Sequence, residues 1–142
     1  MAGGKTGQNP TDRAKSGVKR SVLTDASGIP LAVTVSGANT HDMKMTQETL
    51  EGIQAKRPKP TKKKKQHICL DKGFDFDEVR ELVKEFGYTA HIPRRWVVER
   101  THSWMNRFRG LLVRWAKKPE NYMAFLHLVC GIITWRSTGL MG

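Results

Sequence analysis

Cysteine is scarce in this 142-residue chain, where only Cys69 and Cys130 occur, 61 positions apart. Two cysteines at that spacing match no paired metal-ligand pattern. A reducing compartment, the cytoplasm, is the expectation. Acid is also short: 13 Asp and Glu stand against 25 Lys and Arg, a net charge of +12. Such an excess favours a polyanionic partner through counterion release, and nucleic acid heads that class. Long apolar runs are lacking as well. The most apolar stretch, residues 122–135, is too short to span a bilayer and contains His127. It is expected to be a buried helix, with no membrane partner. The N-terminal residues have no apolar segment of the kind a secretory signal needs. No P-loop, G-x-G-x-x-G, G-x-S-x-G or H-E-x-x-H pattern occurs, and the five histidines show no metal-ligand spacing. NTPase, dinucleotide, esterase and zinc-protease readings therefore have no starting point.

What is present reads as one small domain. Residues 1–17 are Gly-, Lys- and Thr-rich with almost nothing for a core, and are expected to form a basic flexible arm. Ser21–Thr24 and Leu31–Val35 are β-branched runs around the turn cluster Asp25-Ala26-Ser27-Gly28-Ile29-Pro30, which predicts an antiparallel hairpin. A helix is predicted over residues 43–55, with Met45, Leu50 and Ile53 inward. Residues 56–65 hold seven cations, no acid and two prolines, and so form an exposed loop. A strand over 67–70 and a helix over 77–86 closed by Gly87 come next, then a strand over 88–92. A long helix over 96–116 carries Val97, Trp104, Phe108, Leu111 and Trp115 on one apolar face. Pro119 starts a last helix that runs to about residue 136. The order predicts a mixed α/β domain.

Asp71 stands where an apolar strand meets a glycine-containing loop, the place where functional side chains gather in open α/β sheets. A turn or cap aspartate accounts equally for its position. Glu99 falls in the first turn of the long helix, pointing with His102 and Asn106 away from the apolar face. The helix dipole alone would favour an acid there. Two carboxylates, one at a strand end and one on a helix, are also half of what holds Mg²⁺ ions for in-line phosphoryl transfer. Residues 94–118 carry eight cations against that single glutamate. Arg94, Arg100 and Arg107, together with Lys62, Lys63, Lys64 and Lys65, are the candidate DNA-phosphate contacts, and a solvated face is the alternative. Trp104 and Trp115 are read as core packing.

Several stretches together resemble a known family: Asn9-Pro10-Thr11-Asp12-Arg13, Gly17-Val18-Lys19-Arg20, Gly37-Ala38-Asn39-Thr40-His41-Asp42, Leu70-Asp71-Lys72-Gly73-Phe74-Asp75, and residues 95–104 with Asn106-Arg107-Phe108-Arg109 and Pro119-Glu120-Asn121-Tyr122. They look like the C-terminal part of bacterial insertion-sequence transposases of the DDE type, over nearly the whole chain. The resemblance implies a ribonuclease-H-like mixed sheet with flanking helices. It also implies two divalent metals, Mg²⁺ or Mn²⁺, held by Asp, Asp and Glu. The partner it implies is DNA, as transposon ends and target. Asp71 takes the place of the second Asp and Glu99 that of the Glu. Arg95 falls on the arginine of the family's Tyr-Arg-Glu-Lys signature, four positions before Glu99.

Three departures modify that expectation. The family's first Asp lies on a strand upstream of Gly3-Gly4-Lys5-Thr6-Gly7, and the resemblance gives it no counterpart here. Asp25, in a hairpin turn, suits a turn hydrogen bond better than a metal contact. Relatives carry a longer basic loop after Ile92, and the signature lysine is replaced at its spacing by Asn106. Removal of a central strand would leave unpaired backbone and an exposed apolar edge. Residues 18–142 are thus expected to be a partial transposase domain, incomplete at its N-terminal strand and with little strand transfer of its own. The alternative is a basic DNA-binding remnant that modulates a full-length transposase, either as a homodimer or in association with the longer protein.

Overall fold

A computed structural model describes residues 7–8, 16–91, 98–112, 116 and 118–139. The element order is β1 (Gly7–Gln8), β2 (Ser16–Thr24), β3 (Pro30–Gly37), α1 (Asp42–Glu51), β4 (Gln66–Cys69), a 3₁₀ turn (Lys72–Phe74), α2 (Asp77–Glu85), β5 (Tyr88–His91), α3 (Val98–Asn106), α4 (Arg109–Leu112) and α5 (Pro119–Ser137). The mixed α/β class is as expected.

The predicted hairpin forms and is longer than its β-branched core. β2 and β3 pair antiparallel from Val18 opposite Gly37 to Leu23 opposite Ala32, with a bulge before Thr24 meets Pro30. The turn closes because Gly28 takes φ +83° and the Asp25 carboxylate Oδ1 accepts from the Ser27 and Ile29 amides at 2.9 and 2.8 Å. β2 begins at Ser16, inside the segment expected to be an arm. Gly7 and Gln8 of that segment pair antiparallel with Gly17 and Ser16. β4 and β5 form a separate parallel pair in which His67 faces Thr89 and Cys69 faces His91.

Two apolar clusters hold these pieces. One joins Val33 and Val35 of β3 to Met105, Leu111, Tyr122, Leu126, Val129 and Ile133 of the C-terminal helices. The other joins Leu50 of α1 to Ile68, Leu70, Val79 and Val83. α1 stops at Glu51, four residues short of the expected end, because Gly52 caps it. Ile53 therefore leaves the helix but still packs against the second cluster. Gly87 takes φ +79° just after α2, as a C-terminal glycine should.

The long helix predicted over 96–116 is interrupted. α3 ends at Asn106, and the Arg107 and Phe108 amides turn to the carbonyls three residues back, Trp104 and Met105, at 3.3 and 3.0 Å. Gly110 then lies so close to α5 that a Cβ there would meet Phe125 Cε1 at 2.7 Å. After the break, α4 thus brings its glycine into close packing with α5. The apolar face still turns inward at Trp104, Phe108 and Leu111, while Val97 and Trp115 lie outside the described residues. α5 begins at Pro119 as expected, but only one stripe of it is buried. Leu128 and Trp135 remain 59% and 57% exposed. Among the described residues no helix is long and apolar enough to cross a membrane.

Candidate active site and nucleic-acid surface

Asp71 lies two residues past the end of β4, exposed, with its carbonyl accepting from the Phe74 amide at 2.8 Å to start the 3₁₀ turn. Its strand-end position places it on the rim of a cavity of about 460 Å³. The hairpin turn residues Asp25 and Ala26 line the same cavity. Three other acids have partners of their own. Asp25 holds its own turn, Asp75 Oδ1 accepts from Arg80 Nε at 3.0 Å, and Asp42 is paired with Lys19 Nζ. The reading of Asp25 as a turn residue rather than a metal contact is therefore matched by its hydrogen bonds.

Glu99 is the second residue of α3 and Arg100 the third. Their side chains, and Arg94 and Arg95 altogether, lie outside the described part. What fixes the helix that carries Glu99 is Thr101. It is fully buried, and its Oγ1 donates to the Gly28 carbonyl at 2.6 Å. The Asp25–Gly28 turn thus touches both the Asp71 cavity and the helix bearing Glu99. Sequence reasoning missed Thr101, since a threonine mid-helix carries no signal of a partner 73 positions away.

His102 was expected on an outward face with Glu99. Instead it is half-buried, and its pKa is lowered first by burial and second by the Arg20 charge. Arg20 of β2 buries Nη1 with no hydrogen-bond partner among the described residues. The adjacent cations Lys19 and Arg20 within a strand, which must point to opposite faces, were the available signal for it. Asn106 is exposed, as expected.

The donor chemistry of a carboxylate at this rim suits a hard divalent cation, which takes oxygen ligands. Among the described residues no group of three His, Cys, Asp or Glu side chains comes together to hold a metal. Asp71 is the carboxylate of the two candidates whose side chain lies among the described residues.

The basic loop behaves as its composition demands. Residues 54–65 are all exposed, and Thr61 and Lys64 exchange backbone hydrogen bonds of 3.1 Å that close a small turn around Lys62 and Lys63. Arg57 is not part of the free charge. It stacks 4.2 Å over the Tyr88 ring, donates to Gln66 Oε1 at 3.1 Å and reaches the Phe86 carbonyl. The loop base is thus pinned and Lys62, Lys63, Lys64 and Lys65 project from it. Arg107 is exposed at the break after α3, beside Trp104, Phe108 and Arg136 around a second cavity.

Residues 2–94 match the family model described as "Transposase DDE domain". The chain is also 34% identical over 148 residues to a Burkholderia cepacia protein named "Putative transposase for insertion sequence element IS402". That alignment covers 94% of this chain and 70% of the relative. No solved structure matches.

Proposed function

Because this chain belongs to the DDE-domain transposases of insertion sequences, we propose that Asp71 and Glu99 are its metal-binding carboxylates and that Arg95 orders Glu99 or the same DNA phosphate. The domain family implies dependence on a divalent metal, and oxygen donors point to Mg²⁺ or Mn²⁺. When bound, such ions activate the attacking oxygen and stabilise the leaving one in in-line displacement at phosphorus. The chain's own part is positional. β4 delivers Asp71 to the cavity rim, and the Thr101–Gly28 bond sets α3 against the turn on that rim. The observation that carries the reading is this shared turn, which lines the same cavity as Asp71 and is hydrogen-bonded to the helix that bears Glu99. A ribonuclease-H-like arrangement agrees with an antiparallel hairpin followed by a parallel pair.

The test is calorimetric titration of Mg²⁺, then Mn²⁺, into the folded chain, with Asp71→Ala and Glu99→Ala beside it. Circular dichroism of each variant checks that it is folded before titration. Binding lost in both variants is expected. Binding that survives both, or none to a chain shown folded by circular dichroism, overturns the assignment.

A second reading, a basic DNA-binding form that modulates a full-length transposase, draws on the exposed lysines of residues 62–65. Wild-type family rates of metal-dependent cleavage by this chain, abolished by Asp71→Ala, would decide against that second reading.

A further inference from the structure

His67 on β4 and His91 on β5 stand side by side although they are 24 positions apart in the chain, with His67 Nδ1 and His91 Nε2 2.6 Å apart. Their ring centroids lie 4.8 Å apart and the ring planes are tilted by 47°. Stacking alone would lay the ring faces together, whereas the tilt turns a nitrogen of each ring toward the other. Both histidines are exposed, while Ile68 is buried and Ala90 half-buried, so strand alternation puts the two rings on the outer face of the parallel pair. The ladder continues past them, because the Leu70 amide donates to the His91 carbonyl at 2.8 Å. Paired backbone therefore fixes the spacing of the two rings. The order of residues carries no such signal, since the pair forms only when β4 and β5 align.

We propose that His67 and His91 form a two-imidazole clamp for a divalent cation of the zinc and nickel class. Imidazole nitrogen suits zinc, nickel and copper, whereas Mg²⁺ takes oxygen. Two Zn–N bonds of about 2.05 Å at the tetrahedral angle hold their nitrogens about 3.3 Å apart. The two ring nitrogens stand about 0.7 Å closer than that, and exposed rings reach the wider spacing by small rotations. One nitrogen of the pair carries the proton of their hydrogen bond. On metal binding that ring takes its proton on the other nitrogen, which leaves a lone pair on His67 Nδ1 and on His91 Nε2 for the cation, with no net proton released. Among the described residues no three His, Cys, Asp or Glu side chains come together, so the clamp supplies two ligands and water completes the shell.

The clamp differs from the carboxylates in both ligands and preferred ion. His67 borders the cavity that Asp71 rims, so a cation held by the rings adds positive charge to that wall without taking the oxygen donors assigned to Mg²⁺. The clamp does not rest on the metal assignment of Asp71 and Glu99, and either can fail alone. His127, exposed on α5, serves as the internal control for binding by a single surface ring.

The full chain is titrated calorimetrically with Zn²⁺, and separately with Ni²⁺, at about pH 7.5, where imidazole is neutral, in excess Mg²⁺. His67→Gln, His91→Gln, His127→Gln, Cys69→Ser and Asp71→Ala are measured beside it, each checked for folding by circular dichroism. One Zn²⁺ per chain is expected. Even an outer-shell partner of a metal is worth about ten-fold or more in affinity. Each of His67→Gln and His91→Gln should therefore weaken binding by at least about ten-fold, and the other three variants should keep it. Ring C–H signals in NMR give a second readout on the unaltered chain: Zn²⁺ should shift those of His67 and His91 and leave those of His127 in place. Five results overturn the proposal: no binding of either ion; loss in only one of the two ring variants; unshifted His67 and His91 signals; an equal loss in His127→Gln or Cys69→Ser, which would assign the ion to a lone ring or a thiol; or a loss in Asp71→Ala, which would place the ion on the carboxylate rim.

Discussion

His102 is a histidine whose folded environment opposes its charge. Burial in α3 comes first, and the Arg20 guanidinium on β2 adds repulsion, so its pKa falls below the usual value of 6.5. As pH drops, the unfolded chain takes up this proton before the folded one does. Stability from this residue is therefore full above pH 6.5 and declines as pH falls from there to the lowered folded value, below which it levels off. The urea midpoint of the chain should decrease between pH 7.5 and pH 5.5 through this term, and His102→Gln should flatten that part of the slope. An unchanged slope in the variant would remove His102 as the source. Its partner was not legible beforehand. The heptad-like stripe on residues 97–115 divides that segment into inward and outward faces, but it does not say that β2 lies against the flank. Asp71 was legible because strand end and loop are adjacent in sequence, whereas the Arg20 charge acts on His102 only after folding.

Among elements, α3 depends most on a single bond. Thr101 is wholly buried and its hydroxyl serves the Gly28 carbonyl in a turn that has already spent its amides on Asp25. Thr101→Val preserves shape and leaves that carbonyl unsatisfied, a cost of about 1–3 kcal/mol. Thr101→Ser keeps the hydroxyl and loses one methyl, about 0.8 kcal/mol of burial. Thermal denaturation of both should rank Val below Ser. If the bond also positions Glu99, Val should weaken Mn²⁺ binding while Ser does not, a distinction that general loss of stability would not make. Secondary structure near this bond was only partly readable. The hairpin, α2 with its closing Gly87 and the Pro119 start of α5 were carried by local signals: β-branched runs, glycine at positive φ, proline at the first turn. The break at Arg107 and Phe108 was not, because Leu111 and Phe108 keep helical spacing across it. Gly110 of α4 packs close to Phe125 on α5 after the break, a contact with no trace in the periodicity.

For the whole molecule, charge and shape divide the work. The excess of cations predicted from composition is displayed at one prominent place, the loop whose base is fastened by Arg57 on Tyr88 and Gln66. Pinning the base lets Lys62, Lys63, Lys64 and Lys65 extend from a fixed point instead of a loose tail, which lowers the ordering cost of meeting a phosphate backbone. Composition revealed the charge and prolines revealed the loop, but the anchor was hidden because it joins residues far apart in the chain. If these lysines contact phosphate, each one lost reduces the slope of log K against log salt by about 0.9 on duplex DNA. Replacing all four with glutamine should reduce the slope by up to about 3.6 and weaken binding uniformly across sequences, since phosphate contacts carry no sequence information. Fluorescence anisotropy over a salt series measures this directly. Arg57→Ala is the sharper variant, because it removes a charge that is engaged with the protein. A slope that changes little while affinity falls would show that Arg57 acts by holding the loop. A loss of about 0.9 in slope would place Arg57 itself on the DNA, and unchanged affinity after all four glutamine replacements would move the nucleic-acid surface to the arginines around α3.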